Sequence, residues 1–83
     1  MRNMSLEDLF LLVKESNEGA FDELYHRTWK KLYEIAFRRL QDENASKEII
    51  QDLYVDLWEK RDRKTIQDID HYLCQAVRFK VID

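Results

Sequence analysis

Glu23 and His26, in "ELYH", stand at the Glu-x-x-His spacing with which helical bundles hold pairs of iron ions. Asp68 and His71, in "DIDH", repeat a weaker form of the pair. Ligands of that kind must project into a bundle core. On a helical wheel Glu23 and His26 fall on the polar side, opposite Phe21 and Leu32, and Asp68 and His71 are polar-facing too. Both pairs therefore read as solvated surface. Cys74 lies at the edge of an apolar line and reads as a small buried hydrophobe, not an activated thiolate. The single glycine, Gly19, cannot build a phosphate-cradling loop. No catalytic residue, metal ligand or cofactor site is expected, and the chain reads as a non-enzyme.

A different chemistry is legible in "EIIQDLYVDLWEK", residues 48 to 60. At about 100° per residue, Ile49, Ile50, Leu53 and Leu57 share one side and Glu48, Asp52, Asp56 and Glu59 the other. Val55 points out among the acids beside Gln51, with Tyr54 and Trp58 on the seam. A solvated face does not need an apolar residue ringed by Gln and carboxylates. A docking face does, because interfaces place a small apolar centre inside a polar rim.

The elements that carry these residues are all helical. Ser5, with Asp8 three residues on, caps a short helix running to about Glu15. "SNEG" breaks the chain at 16 to 19. A long helix spans about 20 to 41, with a stripe of Phe21, Leu24, Tyr25, Thr28, Leu32, Ile35 and Ala36. "DEN" ends it, and Asn44 caps a third helix to about Lys60. "RDRKTIQ" is a charged connector, and Asp68 caps a last helix to about residue 82. Ile69, Leu73, Val77 and Val81 form its buried line, and Phe21, Leu24, Leu32, Ile35, Ile49, Leu53 and Leu57 complete the expected core. The fold expected is all-α: one domain over residues 1–83, a compact bundle of three main helices with a short N-terminal helix capping one end.

Bulk composition agrees. Among 83 residues there is no proline and one glycine, while 45% are hydrophobic, ten of them aromatic. A chain this short buries only about 60% of its unfolded surface, so the core must be well filled. One cysteine allows no internal disulfide. Residues 1 to 15 lack the basic start and unbroken apolar core of a signal peptide. No stretch approaches the roughly 18 apolar residues of a membrane span. A cytoplasmic protein with no membrane partner is expected. The net charge of −3 argues against a simple nucleic-acid binder, but its distribution is uneven. Residues 44 to 59 carry a net −3 and residues 60 to 83 a net +2. The acidic helix and the basic segment after it imply two partners of opposite charge. On the last helix, His71, Gln75, Arg78 and Ile82 form a second face, with Tyr72 and Phe79 beside it. Basic and aromatic groups interleaved in this way suit single-stranded nucleic acid, which rewards phosphate contact and stacking together; the plainer alternative is that Tyr72 and Phe79 complete the flank of the core.

Three segments, "AFDELYHRTWKKLYEIAFRRL", "EIIQDLYVDLW" and "YLCQAVRFKVID", resemble region 2 of the extracytoplasmic-function sigma factors of bacterial RNA polymerase. The resemblance runs from about Gly19 to Asp83. Its most specific part is an acid, two aliphatics, Gln, an acid, an aliphatic, an aromatic and a Trp four residues later. Glu48, Ile49, Ile50, Gln51, Asp52, Leu53, Tyr54 and Trp58 supply it. The resemblance implies a transcription-initiation module. Glu48, Gln51 and Asp52 would dock on the clamp helices of the polymerase β′ subunit, round the apolar centre Val55. The connector and last helix would hold the melted promoter minus-ten element, preferring the single-stranded non-template strand. On that side the candidate contacts are Arg61, Arg63, Lys64, His71, Tyr72, Gln75, Arg78 and Phe79. The polymerase core and promoter DNA are the implied partners, with an anti-sigma factor as a further one. Glu48 replaces the family's usual Asp, and Phe79 stands where many members have Asn. The family continues beyond the position of Asp83 into a second, helix-turn-helix domain, so these residues read as an isolated or truncated module. The competing reading is a helical protein-interaction domain without a DNA role, self-associating through Val55, Tyr54 and Trp58.

Overall fold

In the computed structural model, which describes residues 1–63 and 65–82, four helices form a single bundle. They are α1 (Leu6–Lys14), α2 (Glu18–Leu40), α3 (Glu43–Glu59) and α4 (Ile69–Ile82). The all-helical expectation holds. No helix among the described residues is long and apolar enough to cross a membrane.

Side-chain caps set the boundaries. Ser5 accepts from the Asp8 amide at 3.0 Å, as its spacing predicts. The end of α1 is a Schellman turn, in which the Asn17 amide reaches Leu12 O and the Ser16 amide reaches Val13 O. Ser16, not Gly19, takes the left-handed conformation there (φ 69°). Asn17 then caps α2 by accepting from the Ala20 amide at 2.9 Å, so α2 starts two residues earlier than expected. Asp42 rather than Asn44 caps α3, accepting from the Ala45 amide at 2.9 Å. The reason is that Gln41 already turns the chain left-handed (φ 54°), which delivers Asp42 in an extended conformation and lets the helix begin at once. Asn44 is left inside the first turn. Asp68 accepts from the His71 amide at 3.0 Å at the start of α4, as expected.

Packing centres on α2, which touches each of the other three helices. Its buried line is Ala20, Leu24, Thr28, Leu32 and Ala36, one residue in every four. Against it lie Ile50, Leu53 and Leu57 of α3 and Ile69, Leu73, Val77 and Val81 of α4. The first helix is more than a cap, since Leu9, Phe10 and Val13 are buried in the same cluster. Phe21, Ile35 and Ile49, expected in the core, are half-buried at its margin. Tyr54, expected on the seam, is inside it at 4% exposure. Its hydroxyl bonds Thr28 Oγ1, which in turn donates to Leu24 O at 2.7 Å. That relay satisfies two buried hydroxyls that would otherwise be costly to bury. Burial pushes the Tyr54 phenol up to about 12, against a smaller lowering by the Thr28 hydrogen bond.

Candidate docking groove and basic face

Beside the buried line of α2 runs a second line displaced by one residue: Phe21, Tyr25, Trp29, Tyr33 and Phe37. Residues four apart on a helix are neighbours, so this is a continuous aromatic ridge. Its rings touch in sequence at the far end, with Trp29 and Tyr33 centroids 6.4 Å apart and Tyr33 stacked on Phe37 at 5.9 Å. At the near end α3 completes it. Tyr25 meets Tyr54 at 4.8 Å, and Phe21 meets Trp58 at 5.0 Å. Core packing uses the inner side of these rings and leaves the outer side in solvent. Tyr25 is 37% exposed and Trp29 39%.

Between the ridge and α3 lies a groove of about 830 Å³, open to solvent. Its α2 wall is Phe21, Tyr25, Trp29 and Tyr33; its α3 wall includes Ile50, Gln51, Val55 and Trp58. Val55, in the middle, is 49% exposed. From Phe21 to Tyr33 the wall extends for about 18 Å at 1.5 Å per residue, enough for roughly three turns of a guest helix. The rim is acidic. Asp22 borders the groove on α2, while Glu48 and Asp52 are exposed on α3. Glu43 also lies there but is held by Lys47 at 2.8 Å. Ion-pairing of this kind holds the Glu43 carboxyl below its ordinary range and the Lys47 ammonium above its own. The polar residues singled out by sequence, Glu48, Gln51, Asp52 and the apolar Val55, are thus all on the surface. The groove brings Gln51 and Val55 to its wall. The aromatic ridge was missed by sequence reading. The signal for it was the four-residue recurrence of rings, which a search for a single 3.6-period stripe blends into the core.

The basic residues are more dispersed. His71, Gln75 and Arg78 are exposed on α4, Tyr72 is half-buried, and Phe79 is 68% exposed. Arg63 is exposed in the connector, and Lys64 lies outside the described residues. Arg61 has a structural job. Its guanidinium lies 4.0 Å over the Trp58 ring, and it donates to Ser16 Oγ from Nε and Nη2 and to Trp58 O from Nη1. It therefore closes the end of α3 and ties it to the α1–α2 turn. Three of the five guanidinium N–H donors are engaged in this way.

The residues first examined for metal chemistry do not converge. Glu23 accepts from Arg27 Nε at 2.8 Å, a bond that holds its carboxyl below the usual range. His26 Nδ1 is 2.8 Å from Asp22 O. Arg27 also donates to the main-chain oxygens of Met1, Arg2 and Met4, fastening the N-terminal turn to α2. Among the described residues no cluster of His, Cys, Asp and Glu could hold a metal ion. This surface carries an aromatic groove between α2 and α3 and dispersed cations on the connector and α4. In comparison with known proteins, the chain matches no family model, no curated protein and no solved structure.

Proposed function

We propose that this domain is a transcription-initiation module of the sigma region 2 kind. It docks on the β′ clamp helices of a cytoplasmic RNA polymerase and holds the opened minus-ten strand on its basic side. The observation that carries the reading is the groove between α2 and α3. It has the length and apolar lining for a helical guest, and Glu48, Gln51 and Asp52 stand exposed on the helix that forms one wall. Asp22 in the groove's lining, with Glu48 and Asp52 exposed elsewhere on α3, favours a guest helix with a basic rim and speeds its approach. Burying Val55 and the outer faces of Tyr25 and Trp29 supplies the affinity, since aromatic anchors commonly dominate interfaces. The residue pattern from Glu48 to Trp58 supports the same assignment.

The test is calorimetric titration of a β′ clamp-helix fragment into wild type, Gln51→Ala, Val55→Asp and Asp52→Arg proteins. Each substitution is expected to weaken binding, Asp52→Arg most, because it places like charges across the interface. Circular dichroism and melting temperature should stay near wild type, since all three side chains are exposed. Equal affinities across the series would reject the proposal. The competing function, a protein-interaction domain with no role at DNA, is favoured by the net charge of −3. It shares the groove but requires no nucleic-acid binding.

A further inference from the structure

At the opposite end of α2 from the aromatic groove's mouth at Phe21, three arginines converge from two helices. Arg38 and Arg39 of α2 and Arg78 of α4 line a small groove of about 360 Å³ floored by Ile35, Val81 and Ile82. In a chain of net charge −3 such a cluster would be expected to attract internal carboxylates. The ion pairs the structure describes instead engage Arg27, Lys31, Lys47 and Lys60. Glu34, four residues before Arg38, forms no ion pair with it. Among the described residues Arg78 makes one hydrogen bond, of 3.3 Å, to Gln75 Oε1.

Arginines in the last turn of a helix ordinarily serve the helix end, by compensating the dipole and bonding free carbonyls. Here Gln41 has taken the bonding role. Its amide donates to Phe37 O at 2.8 Å, and its Nε2 lies 3.3 Å from Phe37 O and 3.2 Å from Arg38 O. Arg38 and Arg39 are exposed, and among the described residues no hydrogen bond or ion pair engages their guanidinium donors. Guanidinium groups lining one groove suit the tetrahedral oxygens of a phosphate, which a guanidinium can bind bidentately. The apolar floor and the scale of the groove limit the ligand further. A helix is about 10–12 Å across and does not fit so small a recess, whereas a nucleotide does. Phe79, next to Arg78 in the chain and 68% exposed, supplies a ring of the kind on which single-stranded bases stack.

We infer that this groove is a phosphate seat for single-stranded nucleic acid, in which Arg38 and Arg39 complete a site that Arg78 begins. The inference deepens the nucleic-acid half of the function proposed above and rests on it. It adds two residues of α2 to a face otherwise read from the connector and α4.

The experiment is fluorescence anisotropy of the full chain with a fluorescein-labelled oligothymidylate across a range of salt concentrations. Wild type is expected to bind with affinity falling as salt rises. The double variant Arg38→Gln/Arg39→Gln should bind more weakly and flatten the log-affinity against log-salt slope by about 1.4, two contacts at roughly 0.7 each for a single strand. Arg38→Lys/Arg39→Lys should keep the wild-type slope while losing affinity, because charge is retained and bidentate geometry is not. Both arginines are exposed, so the variants should melt as wild type does and bind the clamp-helix fragment unchanged. If wild type binds and the double Gln variant shows the same slope, the seat is wrong while the nucleic-acid reading stands. If wild type does not bind at all, both fall. Tighter binding of phosphatidylserine vesicles or polyglutamate, lost on the same substitutions, would also overturn the inference by naming a different anionic partner.

Discussion

The two grooves of this domain share one helix and have opposite characters. Along its first four turns α2 shows solvent a ridge of rings, and α3 faces that ridge with Ile50, Gln51, Val55 and Trp58. At its last turn α2 shows arginines, and α4 adds another. The first groove is long and lined mainly by rings; the second is less than half its volume and lined by three arginines. Both stand on the same buried line of Ala20, Leu24, Thr28, Leu32 and Ala36. The lesson is that overall charge is a poor guide to partners in so small a domain. A net −3 conceals an arginine-lined groove at the last turn of α2, next along that helix to the aromatic one.

This comparison can be broken at its base. Leu53 is buried against α2 and holds up α3, so Leu53→Ala should cost about 2–5 kcal/mol. That is a large share of the stability of a small domain and should lower the melting temperature measured by circular dichroism. A loss confined to the aromatic groove, with unchanged melting, would mean the helices are not held by a shared core.

A second substitution pair sharpens the difference between arginines that build the fold and arginines that face outward. Arg61→Ala removes the stacking on Trp58 and the bonds to Ser16, and should cost about 1–2 kcal/mol in denaturant unfolding. Arg63→Ala, at an exposed position two residues on, should stay within about 0.5 kcal/mol of wild type. Equal effects would show that the Arg61 clasp contributes nothing.

Tyr54, the buried member of the aromatic set, gives a smaller and pH-resolved signal. Its phenol sits at about 12 in the fold against 10 when unperturbed. The neutral form is favoured by folding, so this contribution is complete below pH 10 and is lost as pH rises from 10 through about 12. Tyrosinate absorbance should show one late-titrating ring that Tyr54→Phe removes. The same variant should lose about 1 kcal/mol at neutral pH, because Thr28 keeps its bond to Leu24 O.

The sequence was most informative where side chains act locally. Ser5 and Asp68 announced their helices because a cap is decided within three residues. Asp42 was overlooked because its role depends on the left-handed Gln41 before it, a backbone choice that residue type does not specify. Exposure of Val55 was legible from one turn of helix. The ridge through Trp29 and Phe37 was not, since a buried line and an aromatic line one residue apart merge into one broad stripe until α3 and α4 choose sides. The arginine seat was harder still. Arg38 and Arg78 are forty residues apart, and only the packing of α4 on α2 joins them. Arg61 was read as a candidate nucleic-acid contact, and its structural bonds were not legible for the converse reason, because its acceptor Ser16 lies across the fold.

The central proposal is that the groove between α2 and α3 receives a basic helix. The most direct measurement is a double-mutant cycle between Asp52→Arg and Asp substitutions made in turn at the arginines of a β′ clamp-helix fragment, read by calorimetry. Asp52→Arg alone is expected to weaken binding at least tenfold, and one reversed arginine should restore most of that loss by pairing with the new Arg. Additive losses at every pair, or an Asp52→Arg affinity equal to wild type, would contradict the account.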